Sequence, residues 1–181
     1  VLAAGLEGSG QQFIWVVREA DKANVFDGEE RRVELPAGFE KRVGERGMVV
    51  REWAPQPEIL AHPSTGGFLS HCGWNSCTES MKMGVPIAAW PMHSDQPTNA
   101  VFITEILRVG LPVRKWAETA EVVTAEMVED VLRRLIASEE GVEIRKRAEE
   151  VAAIVRGATE EGGTSRLEMD SFIAHITRDG L

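Results

Sequence analysis

A chain of 181 residues with 43% hydrophobic side chains and five Trp suffices for one packed domain, at roughly 100–200 residues per domain, and leaves two full ones cramped. Its 20 basic and 29 acidic side chains give a net charge of −9, which argues against a nucleic-acid partner and against attraction to anionic lipid; any phosphate must be held locally. The composition argues against long disorder, no apolar run approaches the roughly 18 residues of a membrane span, no signal peptide is expected, and Cys72 and Cys77 have neither zinc nor redox spacing, so they are expected as reduced thiols of a cytosolic protein.

The chain opens Val1-Leu2-Ala3-Ala4-Gly5-Leu6, without Met and already in a helix-like pattern, as a piece of a longer protein would. Residues 1–8 read as a helix closed by Gly8 and Gly10. Phe13 to Val17 is a short continuous apolar run, which suits a strand of a parallel sheet covered on both faces. Residues 19–46 are charged and contain Pro36 and Gly38, so they read as a long surface loop with at most a helical turn. A strand at Met48–Val50, a short helix at Pro57–Ala61 and a strand at Gly67–Ser70 follow. A helix from Asn75 to Met83 is stopped by Gly84, and a strand runs from Pro86 to Trp90. Gln96 to Val109 reads as a helix closed by Gly110. Strands alternating with helices imply right-handed βαβ units and a Rossmann-like parallel α/β sheet. The last third reads as helical: 125–138 with Thr124 as N-cap, 141–156, and a final helix to about Arg178 behind a Ser165–Glu168 capping box. That last helix carries Leu167, Phe172, Ile173 and Ile176 as an apolar stripe in need of a partner surface.

Three stretches between Trp53 and Gln96 carry the candidate chemistry. His71-Cys72-Gly73-Trp74-Asn75-Ser76 follows a strand and opens a helix. Ligands of open parallel sheets bind beyond the carboxyl ends of the strands, and a helix start there offers free amides and partial positive charge to a phosphate. Gly73 permits close approach, and His71, Asn75 and Ser76 add donors. The alternative is structural: Ser76 to Glu79 has the spacing of a capping box, and His71 and Trp74 suit a core. Trp53, at the end of a strand, offers a flat face for a nucleobase, or is an ordinary buried Trp. Asp95-Gln96 can accept from and donate to neighbouring sugar hydroxyls, or Asp95 is a helix N-cap.

Together these positions resemble the complete signature box of the plant secondary-product UDP-glycosyltransferases. The match runs through Trp53-Ala54-Pro55-Gln56, Ile59-Leu60, His62, Gly66 to Phe68, His71 to Ser76, Glu79, Gly84-Val85-Pro86, Trp90-Pro91 and Asp95-Gln96. Phe13 to Arg18 and His93 to Pro97 resemble the zeatin O-glucosyltransferase branch in particular. So many fixed positions at fixed offsets favour ligand roles over the structural alternatives.

The resemblance implies the C-terminal, donor-binding domain of a GT-B enzyme, with residues 1–160 as the UDP-sugar domain, incomplete at its N-terminus. Residues 161–181 would be a helix for the interdomain junction. It implies that Trp53 stacks on uracil and Ala54 pairs with its edge through the backbone. Gln56 and Glu79 would hold the ribose. His71, Gly73, Asn75 and Ser76 would hold the diphosphate. Trp74, Asp95 and Gln96 would hold glucose, since Gln at the last position goes with glucose and His with galactose. The implied reaction is inverting transfer from UDP-glucose to a small-molecule hydroxyl, zeatin first and a phenolic or flavonoid next. No metal cofactor is expected, as no Asp-x-Asp motif is present. The general base, a His paired with an Asp, is expected in an N-terminal domain outside this chain; no catalytic residue is expected here, and His62, His93 and His175 are not candidates. A module that binds a nucleotide sugar without turnover is the alternative, which the upstream coding sequence would discriminate.

Overall fold

The computed structural model describes residues 1–17, 34–118 and 121–178. Helix α1 (Leu2–Ser9) leads into β1 (Phe13–Val16), and after residue 34 come α2 (Phe39–Val43), a 3-10 turn (Gly44–Arg46) and β2 (Gly47–Val50). Then β and α alternate: α3 (Gln56–Ala61), β3 (Phe68–Ser70), α4 (Trp74–Met83), β4 (Ile87–Ala89), α5 (Gln96–Val101) and β5 (Gly110–Pro112). Three helices finish the described chain: α6 (Ala125–Ala137), α7 (Glu139–Thr159) and α8 (Thr164–Arg178). Most of the expected long loop, and Arg18 with it, lies outside the described residues.

All strand pairs are parallel, as the alternation predicts. Hydrogen bonding groups them as β1–β2 and as β3–β4–β5. In the second group Ser70, Ala89 and Pro112 stand in register, so the carboxyl ends of the three strands share one edge.

The strand expected at Phe13 to Val17 is not covered on both faces, since Ile14 is 49% exposed and Met48, its partner in register on β2, is 60% exposed; a strand covered on both faces is instead found in β4. Ile87 and Ala89 face a core built with Cys77, Met81, Ala100, Ile103 and Ala148. Ala88 faces the opposite core, with Leu111, Val128, Val131 and Leu135. Successive side chains point to opposite faces, so a strand buried throughout needs apolar residues at every position. Each large aliphatic side chain buried this way stabilises the domain by about 1.5–3 kcal/mol. A third cluster joins Ala3, Phe39 and Val43 to Phe13, Trp15 and Val49 on one face of β1–β2.

Several predicted ends move. Gly8 lies inside α1, and Gly10 closes it in the left-handed conformation. The helix expected from Gln96 to Val109 leaves α geometry at Phe102, passes through a π turn (Phe102–Ile106), and ends before Arg108, whose φ is +56°. Gly110 therefore caps nothing. It starts β5, where a Cβ would run into the Ile87 carbonyl of the neighbouring strand. Thr124 caps α6 as expected, accepting from the Met127 amide. The Ser165–Glu168 capping box is not formed as predicted, because α8 already starts at Thr164 and Ser165 is inside it.

Candidate functional site

The site grows from the carboxyl edge of β3 and β4. After Ser70 the chain turns sharply through Cys72, whose φ of +64° is a left-handed conformation costing a non-glycine residue roughly 1–2 kcal/mol. The turn is held because Ser70 Oγ accepts from the Cys72 amide at 3.1 Å. Gly73 then stands as the N-cap of α4, with no side chain capping the helix and no acid in its first turn. The first-turn amides of a helix have no intrahelical acceptors, so this start is free to bind an anion. A Cβ on Gly73 would sit 2.6 Å from His71 Nε2, so the exposed imidazole lies beside the helix start and would have to swing aside for any side chain there.

Most of the structural alternatives are not met, and that for Asp95 is met in position only. Ser76 and Glu79 do not form a capping box, because α4 begins at Trp74 and both lie within it. His71 is exposed rather than a core histidine. Trp53 is 73% exposed, not buried, and Trp74 is 48% exposed, its ring tilted against Phe102 at 6.1 Å. Asp95 occupies the N-cap position of α5, but its side chain makes no cap bond; its carboxylate accepts from Asn99 Nδ2 at 2.7 Å instead.

Other predicted residues meet directly. Gln56, at the start of α3, donates from Nε2 to Glu79 Oε2 at 2.7 Å and to Ser76 Oγ at 3.4 Å. That link carries the loop of Trp53 and the buried Ala54 to the first turns of α4. Asn75 is exposed at the same helix start. Gln96 behaves differently: it is only 6% exposed, and its carbonyl Oε1 accepts from the Met92 and His93 amides at 2.9 and 3.1 Å. Its oxygen is thus spent on its own loop, and only the amide nitrogen side remains for a ligand. Ser94 in that loop also has a positive φ, +61°, so both loops that end in the site contain a left-handed non-glycine residue.

The sequence reading missed Ser70, Phe102 and Asn99. Asn99 had a signal, the i,i+4 spacing from Asp95 on a helix; the other two contacts depend on distant packing. Cys72 and Cys77 are free and fully buried. The hydrogen bond between the two sulfurs, then burial, pushes the Cys72 thiol far up, and the same bond lowers that of Cys77; with both side chains fully buried, neither sulfur stands in the exposed setting of a reactive thiolate. Among the described residues no group of three or more His, Cys, Asp or Glu could hold a metal ion, and no helix is long and apolar enough to cross a membrane.

Parallel strands with an uncapped helix start and a carboxylate–amide cluster beyond their carboxyl ends offer a ligand site of the open α/β type, and the chain belongs to the UDP-glucoronosyl and UDP-glucosyl transferase family, which matches residues 1–140. Within that family it is 59% identical over 178 residues to a zeatin O-glucosyltransferase of Phaseolus lunatus and 58% identical over 178 residues to a zeatin O-xylosyltransferase of Phaseolus vulgaris. In both cases 98% of this chain aligns with 39% of the relative, so the chain spans about two-fifths of their length. The structure of Phytolacca americana UGT2 complexed with UDP-2fluoro-glucose and pterostilbene superposes with a TM-score of 0.82 at 38% identity, covering 96% of this chain and 37% of that one. The fold is therefore that of GT-B UDP-glycosyltransferases, with its parallel sheets and helical C-terminal segment.

Proposed function

We propose that this chain is the donor-binding part of an enzyme that transfers glucose from UDP-glucose, with inversion, to a hydroxyl of a small molecule. The cytokinin zeatin is the favoured acceptor, and a phenolic or flavonoid the next. The observation that carries the reading is the hydrogen-bonded bridge of Gln56 to Glu79 and Ser76, which joins the open face of Trp53 to the uncapped start of α4. A uracil stacked on Trp53, with the Ala54 backbone at its edge, then leads to a ribose near Gln56 and Glu79. The diphosphate follows at the amides after Gly73, with His71, Asn75 and Ser76 around it. Trp74, Asp95 and Gln96 take the hexose.

In this arrangement negative charge builds on the diphosphate as the bond to the sugar breaks. Fixed amides and the His71 imidazole stabilise that charge without reorganising, which is often the largest electrostatic contribution to catalysis. The acceptor and the base that takes its proton belong to the remainder of the longer protein. Residues 1–160 form the donor domain, and residues 161–181 supply a helix to the domain junction, a role that the exposed apolar stripe of α8 supports. Gln96 supports glucose over galactose, and the nearly equal identity to a glucosyl- and a xylosyltransferase makes UDP-xylose the donor to compete against UDP-glucose. A cytoplasmic setting suits the two free cysteines.

The test is calorimetric titration of the full-length enzyme with UDP, wild type against Trp53→Ala. Loss of base stacking, roughly 1–3 kcal/mol, lowers UDP affinity about 5- to 150-fold. An unchanged affinity overturns the placement of the base on Trp53.

A further inference from the structure

Asn99 lies three residues beyond the last position of the signature box and has no assigned part in the site. Its single amide nitrogen donates to two acceptors, Asp95 Oδ2 at 2.7 Å and the Cys72 main-chain oxygen at 3.0 Å. The first acceptor is one helical turn away and is ordinary for i,i+4 neighbours. The second is not local. Cys72 precedes Asn99 by 27 residues and belongs to the other loop of the site. Its carbonyl forms the peptide that leads into Gly73, the N-cap of α4. An amide NH₂ has two hydrogens, and here each has one acceptor, so both donors are used within the site.

We propose that Asn99 is a positioning residue that fixes the distance between the two halves of the donor site. It holds the Asp95 carboxylate, the sugar-side group, against the peptide that aims the amides of α4, the diphosphate-side groups. The inference rests on the donor-site reading above. The bond that breaks in transfer lies between those two halves. A shift between them therefore costs rate with the whole donor, whereas UDP alone, which lacks the sugar, is bound almost as before. Misplacement by about an ångström at a reacting centre can cost on the order of 100-fold.

The experiment uses the full-length enzyme and four variants: Asp95→Ala, Asn99→Ala, Asn99→Asp, and the double variant of Asp95→Ala with Asn99→Ala. The readouts are kcat and KM for UDP-glucose and the inhibition constant of UDP. Asn99→Asp keeps the side-chain shape and loses both donors, so it carries the test if Asn99→Ala does not fold. Either Asn99 variant is expected to lower kcat/KM for UDP-glucose about 10- to 100-fold, with the UDP inhibition constant within about 3-fold of wild type. In the Asp95→Ala background the further effect of Asn99→Ala should shrink to less than about 3-fold, since residues acting through one another are not additive. Additive losses, or a UDP constant that weakens in step with kcat/KM, overturn the proposal in favour of a purely structural amide. If Asp95→Ala alone leaves transfer intact, the sugar-side assignment is wrong and the inference falls with it. If Asp95→Ala is crippled and Asn99→Asp is not, the assignment stands and Asn99 alone is excluded.

Discussion

Two regions of this molecule expose large apolar side chains, and they differ in what surrounds them. Beyond the carboxyl ends of the strands, Trp53 after β2 and Trp74 at the start of α4 are exposed, and between their segments lie the Gln56–Glu79–Ser76 bridge, the Asp95–Asn99 pair and a helix start without a cap. Along α8, Leu167, Met169, Phe172, Ile173 and Ile176 are all exposed, and the polar bonds nearby, Arg166 to Asp170 and Thr177 to Ile173, stay within the helix. Apolar surface joined to convergent polar groups marks a ligand site. Apolar surface alone marks a face made for packing. Exposure has a different meaning in each, and substitutions should separate the two.

The largest effect is expected at the first region. His71 is exposed, so His71→Ala should leave the melting temperature nearly unchanged. If its imidazole faces the diphosphate, kcat of the full-length enzyme should fall on the order of 100- to 1,000-fold, the usual loss for one donor to a developing anion. A kinetic series that finds less than a 10-fold loss would remove His71 from the site and weaken the contrast with α8.

Gln96 gives an intermediate and more discriminating test. Gln96→Glu keeps the oxygen that accepts from the Met92 and His93 amides, whereas Gln96→His cannot serve both. Thermal denaturation should show Gln96→His destabilised by about 1 kcal/mol, the net worth of a hydrogen bond lost from a partly buried loop, and Gln96→Glu less. Competition between UDP-glucose and UDP-galactose should shift away from glucose in Gln96→His. Equal stability of the two variants would show that the loop does not depend on this carbonyl.

The smallest effect is expected on α8. Phe172→Glu in the 181-residue chain should change unfolding free energy by no more than about 0.5 kcal/mol, as exposed substitutions usually do, while raising the concentration at which light scattering reports aggregation. The same change in the longer enzyme should be destabilising if, as proposed, the face packs at a domain junction there. Identical behaviour in both would mean that this face packs against nothing.

Most of the βαβ order was legible because the signals are local. Ile87-Ala88-Ala89 is apolar at every position, as a strand covered on both faces must be, and Gly84 stops α4 in the left-handed conformation. β5 escaped notice because Gly110-Leu111-Pro112 contains two residues that avoid strands; its place is fixed by pairing with β4 and by the Ile87 carbonyl against Gly110. In the site, the identities and offsets of Trp53, Gln56, His71, Glu79 and Asp95 were readable from the box they share. Whether Trp53 was core or surface was not, since an indole after a strand has the same local pattern in either case.

By itself, then, the chain determined its element types, the residue chemistry of the site and its family, because these depend on neighbours within a few positions along the backbone. Only the tertiary structure decided the directions of the side chains: that Gln56 reaches Glu79 across 23 residues, that Asn99 reaches Cys72 across 27, and that Gln96 turns its oxygen inward. A hydrogen bond depends on distance and angle in space, and the folded sheet sets those by bringing the ends of separate strands to one edge.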